Sequence, residues 1–421
     1  MLKLIRKVLS FCLFFTFVFS SSAIELQNIL AADALVRGDF EIAKHNYLNL
    51  YSETKDPIYT RQIAIAYASL GDLGTAFQYA LLYQNATKDN KDLPTSKIIA
   101  DSYIHKGEVQ KAITLLENIK KQEDSPMVDN ALGTLYFNQK QFTRALELLD
   151  RYYSFSQDEE ALKKILAIYF SQNKNQEALK MLQKALENKW CSEDLCTKSI
   201  EVFKQFDRND IAYKIFNKYY RESPTIQRAR FYLQVLINQK NFSEAEKIAK
   251  SYPFDRRVLL ELYVMQNKFN DASKQALKIF QENKETKFLA WSAIYAYQSK
   301  PMISQDELRK VIDLLSQAIN DRAVQRQLDK ENPNNEDAFF YNFLGYILID
   351  HNVDIKKGML LVRQALKIAP NSIAYIDSLA WAYYKMGDCT QAQNIFSSIP
   401  KDQVMQDADL KKHFELIKKC H

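Results

Sequence analysis

The chain has 421 residues, of which only 8 are Gly and 9 are Pro, while 47% are hydrophobic and 26% are charged. So few turn residues disfavour a β-rich fold, and so much apolar content excludes a disordered chain, so we expect a long, mostly helical protein. The net charge is +6, and it falls to +3 without the three basic residues Lys3, Arg6 and Lys7. A charge of +3 is too small for a general nucleic-acid binder.

The N-terminal segment has the three-part layout of a secretory signal. A basic start is followed by an apolar run of about 12 residues, and the small residues Ser21 and Ala23 stand where a signal peptidase would cut. A bilayer span needs about 20 apolar residues, so the run is short for an uncleaved anchor, which is the alternative. We therefore predict a signal peptide over residues 1–23 and export of residues 24–421.

A short phrase with an alanine near its centre recurs about every 34 residues after the signal. A second apolar stripe with helical spacing lies before each alanine, for example at Ile63, Ala64 and Tyr67. Each unit therefore predicts a helix, a short turn and a second helix. The recurring alanines are Ala43, Ala76, Ala112, Ala145, Ala178, Ala212, Ala245, Ala272 and Ala392.

Helix-breaking and helix-capping residues agree with these units. Four glycines fall at the turn inside a unit, where a helix end favours a left-handed residue, and all nine prolines are predicted to lie between helices. Ser243 with Glu246, and Ser304 with Glu307, have the spacing of a capping box, so each serine is predicted to begin a helix. The turn glycines are Gly38, Gly71, Gly107 and Gly387.

The C-terminal units resemble the tetratricopeptide repeat (TPR) family, and in particular its exported bacterial members. The resemblance rests on a large–small–aromatic pattern in the first helix and a small residue early in the second, and it covers nearly all of 24–421. It implies an all-α, right-handed superhelical solenoid of about ten to eleven TPR-like helix pairs with a C-terminal capping helix. The residues that carry it are Leu344, Gly345, Ala365, Pro370, Leu379, Ala380, Tyr383, Gly387 and Ala392.

The same resemblance divides the exported chain into three segments. Residues 24–285 are predicted to form an N-terminal TPR array, and residues 339–421 a C-terminal TPR pair with one capping helix over 402–420. Residues 286–338 depart from the pattern, so we predict an irregular helix pair there, followed by a polar linker. Gly358 is a second departure, because it replaces the alanine of a second helix.

Four cysteines remain after the signal, and an oxidising compartment favours disulfides between them. Ser192 can cap the helix that follows it, which places Cys191 and Cys196 within reach of each other. In the TPR architecture Cys389 and Cys420 face the same edge, where a bond would pin the capping helix. Four free thiols are the alternative.

The sequence contains no motif that indicates catalysis. No phosphate-binding glycine loop or nucleophile elbow occurs, and none of the five histidines has a second histidine at metal-ligand spacing. Paired carboxylates stand at predicted helix starts, where the helix dipole accounts for them. We therefore expect no enzymatic activity, no cofactor and no metal site.

The family register implies that one position of each first helix faces a concave groove. Basic and amide side chains at this position, which we call the groove column, can grip a carboxylate or an extended peptide backbone. A merely solvated face is the alternative. The column comprises Asn28, Arg61, Lys97, Asn130, Lys163, Thr197, Arg230, Arg257, Asn342 and Asp377. Aromatic residues that could anchor a partner beside it are Phe137, Phe170, Tyr346 and Trp381.

These patterns predict a periplasmic, non-enzymatic scaffold or adaptor that binds a protein segment in its groove during envelope complex assembly. The expected partner is another protein offering an extended or acidic segment, with no nucleic acid, and with membrane association only through that partner. The alternative is a permanent structural subunit of a secretion, motility or polysaccharide-export machine. A polysaccharide- or peptidoglycan-binding protein is a more distant third.

Overall fold

The computed structural model describes residues 23–421, and within that range it contains twenty-four helices and no strand. The predicted all-α repeat fold is confirmed. The signal peptide predicted at 1–23 lies, except for Ala23, outside the described residues. Within the described range no helix combines the length and the apolar character that crossing a bilayer requires.

The chain divides into two compact units, one ending at Leu195 and the other comprising residues 196–421. The helices of the first unit are α1 (residues 23–37), α2 (Phe40–Thr54), α3 (Ile58–Ser69), α4 (Leu73–Thr87), α5 (Leu93–His105), α6 (Val109–Gln122), α7 (Pro126–Asn138), α8 (Phe142–Ser156), α9 (Glu159–Ser171) and α10 (Asn175–Asn188). The next helix in chain order is α11 (Glu193–Gln205).

The second unit continues the same alternation. Its helices are α12 (Asn209–Glu222), α13 (Ile226–Asn238), α14 (Phe242–Ser251), α15 (Arg256–Met265), α16 (Phe269–Asn283), α17 (Thr286–Gln298), α18 (Gln305–Asp329), α19 (Asn335–Asp350), α20 (Ile355–Ile368), α21 (Ile373–Lys385), α22 (Cys389–Phe396), α23 (Lys401–Gln406) and α24 (Ala408–Lys418). We call the odd-numbered helices up to α21 the A helices and the even-numbered helices up to α22 the B helices, which makes eleven pairs.

The B helices pack against their A partners through the recurring alanines. All nine of these alanines are fully buried, because a methyl group is the largest side chain that fits where the two helices approach. At the pair α19–α20 the approach is closer still. A Cβ on Gly345 would lie 2.7 Å from the carbonyl oxygen of Gly358, and one on Gly358 would lie 2.6 Å from that of Gly345. The departure at Gly358 therefore serves tighter packing.

The turn between an A helix and its B helix has one recurring form. The predicted glycines Gly38, Gly71, Gly107 and Gly387 have φ of 84°, 85°, 72° and 79°. In six of the other seven pairs Lys, Asn or Asp takes the left-handed conformation instead, as Lys140 does with φ of 60°, and the turn between α17 and α18 is the exception. The N–H that follows the turn residue then bonds a carbonyl five residues back, as from Asp72 to Tyr67 at 3.0 Å.

Two details of the predicted breakers and caps are corrected. Pro94 and Pro126 lie in the first turns of α5 and α7, where a missing N–H costs nothing. Ser304 and Glu307 form the predicted capping box, but Ser243 does not begin a helix. Asn241 caps α14 instead, because its side chain reaches the N–H of Glu244.

Residues 286–338 form the helix pair α17 and α18, of which α18 has 25 residues. The polar stretch predicted as a linker remains helical as far as Asp329. Arg322 and Arg326 in this extension form ion pairs with Asp337, which is buried at the start of α19. These pairs hold the extension as helix, since a buried carboxylate needs a charged partner.

The predicted single capping helix over 402–420 is two helices, α23 and α24. Asp407 separates them with an extended backbone, φ −114° and ψ 127°. Its side chain accepts hydrogen bonds from the N–H groups of Asp409 and Leu410, so it starts a new helix rather than continuing the old one. The resulting α24 packs against α21 and α22.

Candidate binding surface

Every residue of the groove column lies on an A helix, but the column is not uniformly accessible. Asn28, Lys97, Thr197, Arg230 and Arg257 are exposed. Arg61, Asn130, Lys163 and Asn342 are half-buried, and Asp377 is buried. We use A-helix face for the surface that these residues share within each unit.

The basic residues of the column pair with carboxylates of the next repeat. In the first unit Arg61 Nε lies 2.7 Å from Asp92 Oδ1, and Lys97 Nζ lies 2.7 Å from Glu123 Oε2. Asp92 caps α5, and Glu123 follows the last residue of α6. Each pair therefore connects one A helix to the chain at or just before the start of the next A helix.

Lys163 and Arg257 follow the same rule. Lys163 Nζ lies 2.5 Å from Asp194 Oδ2 and 2.7 Å from Glu160 Oε1, and the hydrogen bonds that it donates to these two carboxylates raise the pKa of Lys163 to about 12. In the second unit Arg257 Nη2 lies 2.9 Å from Glu285 Oε1. The guanidinium of Arg230 lies over the Phe231 ring, 5.3 Å from its centroid.

These ion pairs change the predicted character of the surface. The sequence predicts column cations that can hold an acidic segment, whereas four of them already face a carboxylate of this chain. An acidic partner would have to displace those carboxylates. Replacing one exposed ion pair by another changes the binding free energy little. The carboxylates were missed because each stands 26 to 31 residues after its cation, at the start of the next repeat.

The asparagines of the column differ from the cations. The Oδ1 atoms of Asn130, in the first unit, and Asn342, in the second, are buried, and neither has a hydrogen-bond partner among residues 23–421. A buried carbonyl oxygen without a donor costs about 1–3 kcal/mol, so such atoms are rare. Both atoms stand at the same repeat position, and each can accept a hydrogen bond from a bound backbone N–H once its half-buried side chain rotates outward.

The four predicted aromatic anchors have separate environments. Phe137 is half-buried and packs on Phe142 of the same helix pair, with ring centroids 6.3 Å apart. Phe170 and Tyr346 are also half-buried. Trp381 is buried, so it is not available to a partner as predicted. The reason is that α24 packs over α21, a contact that the sequence analysis did not include.

A pocket of about 390 Å³ lies where α19, α21 and α24 meet. It brings together Asn342, Tyr346 and Asp377 from the prediction with His413 of α24. Nδ1 of His413 lies 2.8 Å from Asp377 Oδ2, and both side chains are buried. Burial raises the pKa of Asp377, while the bond to His413 opposes that rise.

The His413 ring also stacks on Trp381, with centroids 4.1 Å apart, and Trp381 Nε1 donates to Asp350 Oδ1 at 3.0 Å. These contacts explain why the tryptophan is buried. Asp377 of α21 and His413 of α24 engage each other, so this pair joins the capping helix to the array. This role is not evident in the sequence, where His413 is one of five isolated histidines.

The cysteines lie as follows. Cys389, the first residue of α22, is joined by a disulfide to Cys420, with Cα atoms 5.3 Å apart. Cys191 and Cys196 also take part in disulfides. The Oγ of Ser192 accepts a hydrogen bond from the N–H of Leu195, as the predicted helix cap requires.

Within residues 23–421, no three side chains of His, Cys, Asp or Glu are grouped closely enough to hold a metal ion.

Comparison with known proteins shows similarity only to solved structures, since no family model and no curated protein matches the chain. One similar structure, of Naa15/Naa10 bound to HypK-THB, has 10% identity and a TM-score of 0.41, and the match covers 89% of this chain and 63% of that chain. MamA from Desulfovibrio magneticus RS-1 has 17% identity over 39% of this chain and 93% of its own, with a TM-score of 0.34.

A solved structure from the functional characterisation of Pseudomonas aeruginosa pilF has 13% identity to this chain and a TM-score of 0.37. That match covers 50% of this chain and 97% of the other. At such identities and TM-scores none of these similarities carries a functional conclusion for this chain.

Proposed function

We propose that this chain is an exported, periplasmic, non-enzymatic scaffold that holds an extended segment of another protein against its A-helix faces. The observation that carries the proposal is the pair of buried, unpartnered Oδ1 atoms of Asn130 and Asn342. An extended peptide has backbone N–H groups that are free to donate, and it therefore supplies what these atoms lack. The half-buried rings of Phe137 and Tyr346 offer apolar contact on the same faces.

Export and a role in envelope complex assembly complete the proposal. They rest on the signal-like segment at 1–23 and on the resemblance to exported TPR proteins. The ion pairs of the column refine the expected partner, because four of the column cations already face a carboxylate of this chain. Recognition is therefore expected to depend on backbone hydrogen bonds and apolar contacts, with a smaller contribution from acidic side chains than the sequence suggested.

The test compares two matched double variants. Asn130→Ala with Asn342→Ala removes both unpartnered oxygens, while Asn188→Ala with Asn320→Ala removes two exposed asparagines from B helices. Each protein is crosslinked in periplasmic extract, the captured partner is identified by mass spectrometry, and its peptides are titrated calorimetrically. We expect the groove variant to bind the partner peptide about tenfold more weakly, since each hydrogen bond contributes about 0.5–1.5 kcal/mol.

The control variant is expected to bind as the wild type does. Equal affinity for the groove variant would refute binding through the column asparagines. Substituting the column cations by glutamate is a poorer test, because each new carboxylate would face Asp92, Glu123 or Glu285 and loosen the repeats themselves. Lost binding could then result either from the missing cations or from the loosened packing of the repeats, and the experiment would not distinguish the two.

A further inference from the structure

An apolar cavity of about 480 Å³ lies at the C-terminal end of the array, between α22, α23 and α24. Its volume falls within the roughly 300–1,000 Å³ of small-molecule sites. Its walls are aliphatic and aromatic, and one of the wall residues, Met405, is 65% exposed. The residues that form the apolar wall are Phe396, Ile399, Val404, Met405, Phe414 and Ile417.

The cavity exists because the last B helix is short. Helix α22 has 8 residues, whereas α20, the B helix before it, has 14. The six missing residues correspond to about 9 Å of helix, which would otherwise fill the space between the last pair and α24. Pro400 then turns the chain away into α23. The opening is therefore built into the chain and framed by three helices.

The uncharged polar groups of the cavity are already engaged within the chain. Gln393 Nε2 donates to the carbonyl oxygens of Ile417 and Cys420, both at 3.1 Å, and Ser397 Oγ donates to that of Asn394 at 2.6 Å. A peptide would bring backbone carbonyls that need donors, and these two side chains have none to spare. An alkyl chain needs none. The lining therefore suits an alkyl chain better than a peptide.

Two cations also line the cavity. Lys401 and Lys418 are exposed, and neither forms an ion pair within the part of the chain that the structure describes. This differs from the column cations, which are paired. Lys418 Nζ lies 5.8 Å from the centroid of the Phe414 ring, so it stands beside the apolar wall. An apolar cavity with unpaired cations is complementary to a ligand with an apolar tail and an anionic head.

We propose that this cavity binds a free long-chain fatty acid, with the alkyl chain between α22, α23 and α24 and the carboxylate held by Lys401 and Lys418. The disulfide between Cys389 and Cys420 and the two bonds of Gln393 hold α22 against the end of α24. The site is thus preorganised, and it is separate from the A-helix faces.

The experiment titrates cis-parinaric acid, a fluorescent fatty acid, into the oxidised full chain, and displaces it with palmitic acid or with hexadecanol. The variant Lys401→Glu with Lys418→Glu, which we call the rim variant, reverses the charge of both lysines that line the cavity. The control Lys411→Glu with Lys412→Glu makes the same charge change on exposed residues of α24 that do not line the cavity. A third variant, Ser397→Trp, fills the cavity from an exposed wall position. Circular dichroism verifies that each variant is folded.

We expect one saturable site, stronger displacement by palmitic acid than by hexadecanol, and a loss of at least about tenfold in palmitic-acid affinity for the rim variant. Hexadecanol should bind that variant as it binds the wild type, the control should be unchanged, and Ser397→Trp should bind neither. No saturable binding to the wild type, or equal palmitic-acid affinity in all variants, overturns the proposal. Binding only to anionic vesicles also overturns it, since the occupant is then a bilayer. Dimerisation that Ser397→Trp abolishes overturns it as well, since the occupant is then a second copy of the chain.

Discussion

At the scale of single residues, the closest approach of two helices depends on two missing side chains. Gly345 of α19 and Gly358 of α20 lie so near each other that a Cβ on either would meet the other's backbone oxygen. Backbone atoms cannot move aside as a flexible side chain can, so the position excludes even alanine. The alanine that recurs in nine other B helices is therefore replaced here for a steric reason.

We predict that Gly358→Ala lowers the stability of the second unit by about 1–3 kcal/mol, although alanine favours helices by about 1 kcal/mol over glycine. The matched control is Gly74→Ala in α4, where a Cβ would meet only the Asp72 side chain at 3.6 Å. The control should keep or slightly raise the thermal unfolding midpoint. A midpoint for Gly358→Ala at or above that of the wild type would contradict the steric argument.

At the scale of helices, neighbouring repeats are joined by shared carboxylates on both faces. On the A-helix face these are the partners of the column cations. On the B side, Glu246 of α14 binds Lys250 of its own helix at 2.6 Å and Lys268, which precedes α16, at 2.7 Å. Burial alone would raise the pKa of Glu246, but the hydrogen bonds from the two lysines outweigh it and lower that pKa to about 2.

The sign of the pH effect follows from this lowered pKa. A carboxyl whose pKa is lower in the folded than in the unfolded state stabilises the fold above its unfolded value, near 4.5, and loses that effect as pH falls towards about 2. We expect Glu246→Gln to cost roughly 1–3 kcal/mol at pH 7. Thermal unfolding should show the gap to the wild type shrinking below pH 4.5 and closing near pH 2.

The control for this prediction is Glu261→Gln, at an exposed carboxyl of α15. Its stability should follow that of the wild type at every pH. If the gap between Glu246→Gln and the wild type stayed constant down to pH 2, the lysine pairs would not be the source of the stabilisation.

At the scale of the whole molecule, stability is a sum of local terms, because in a repeat array each pair contacts mainly its neighbours. The disulfide between Cys389 and Cys420 closes a loop over 31 positions at the end of the chain. A cross-link of that size restricts the unfolded chain by roughly 3–4 kcal/mol in a simple entropy treatment. In an array this effect should remain near the cross-link.

We therefore predict that Cys389→Ser with Cys420→Ser raises amide hydrogen exchange in α22, α23 and α24 by at least about tenfold. Exchange in α13 to α16 should remain that of the wild type. Mass spectrometry of peptides after timed exchange measures both. Faster exchange along the entire chain would contradict the local picture, and unchanged exchange in α24 would show that the pair Asp377 and His413 suffices to hold it.

Much of this architecture could be predicted because it repeats. The alanine positions, the turn glycines and the number of helix pairs are local signals that recur along the chain, so one correct register places all of them. The break at Asp407 and the helical extension through Arg322 and Arg326 were missed for the opposite reason. The extension depends on ion pairs with Asp337 of α19, and the break depends on a local cap by Asp407, and no periodic pattern records either of them.

The binding surface was predicted less completely. The register placed the groove column on the A helices, but it did not show that Arg61 faces Asp92 or that Trp381 lies beneath α24. Pairing between repeats depends on side-chain rotamers and on the distance between helices. The repeat period in the sequence determines neither of them. The unpartnered oxygen of Asn130 is likewise a property of packing.

The left-handed turn inside ten of the eleven pairs has a further consequence for how such a chain can change. Its φ stays between 54° and 85° in the turns described above, whether glycine, lysine, asparagine or aspartate occupies it. A chain cut after one such turn and rejoined after the next would lose one whole pair and keep the geometry of the join. Duplication or loss of a gene segment of this period therefore leaves a foldable array. The length of surface offered to a partner is then a trait that selection can adjust one pair at a time.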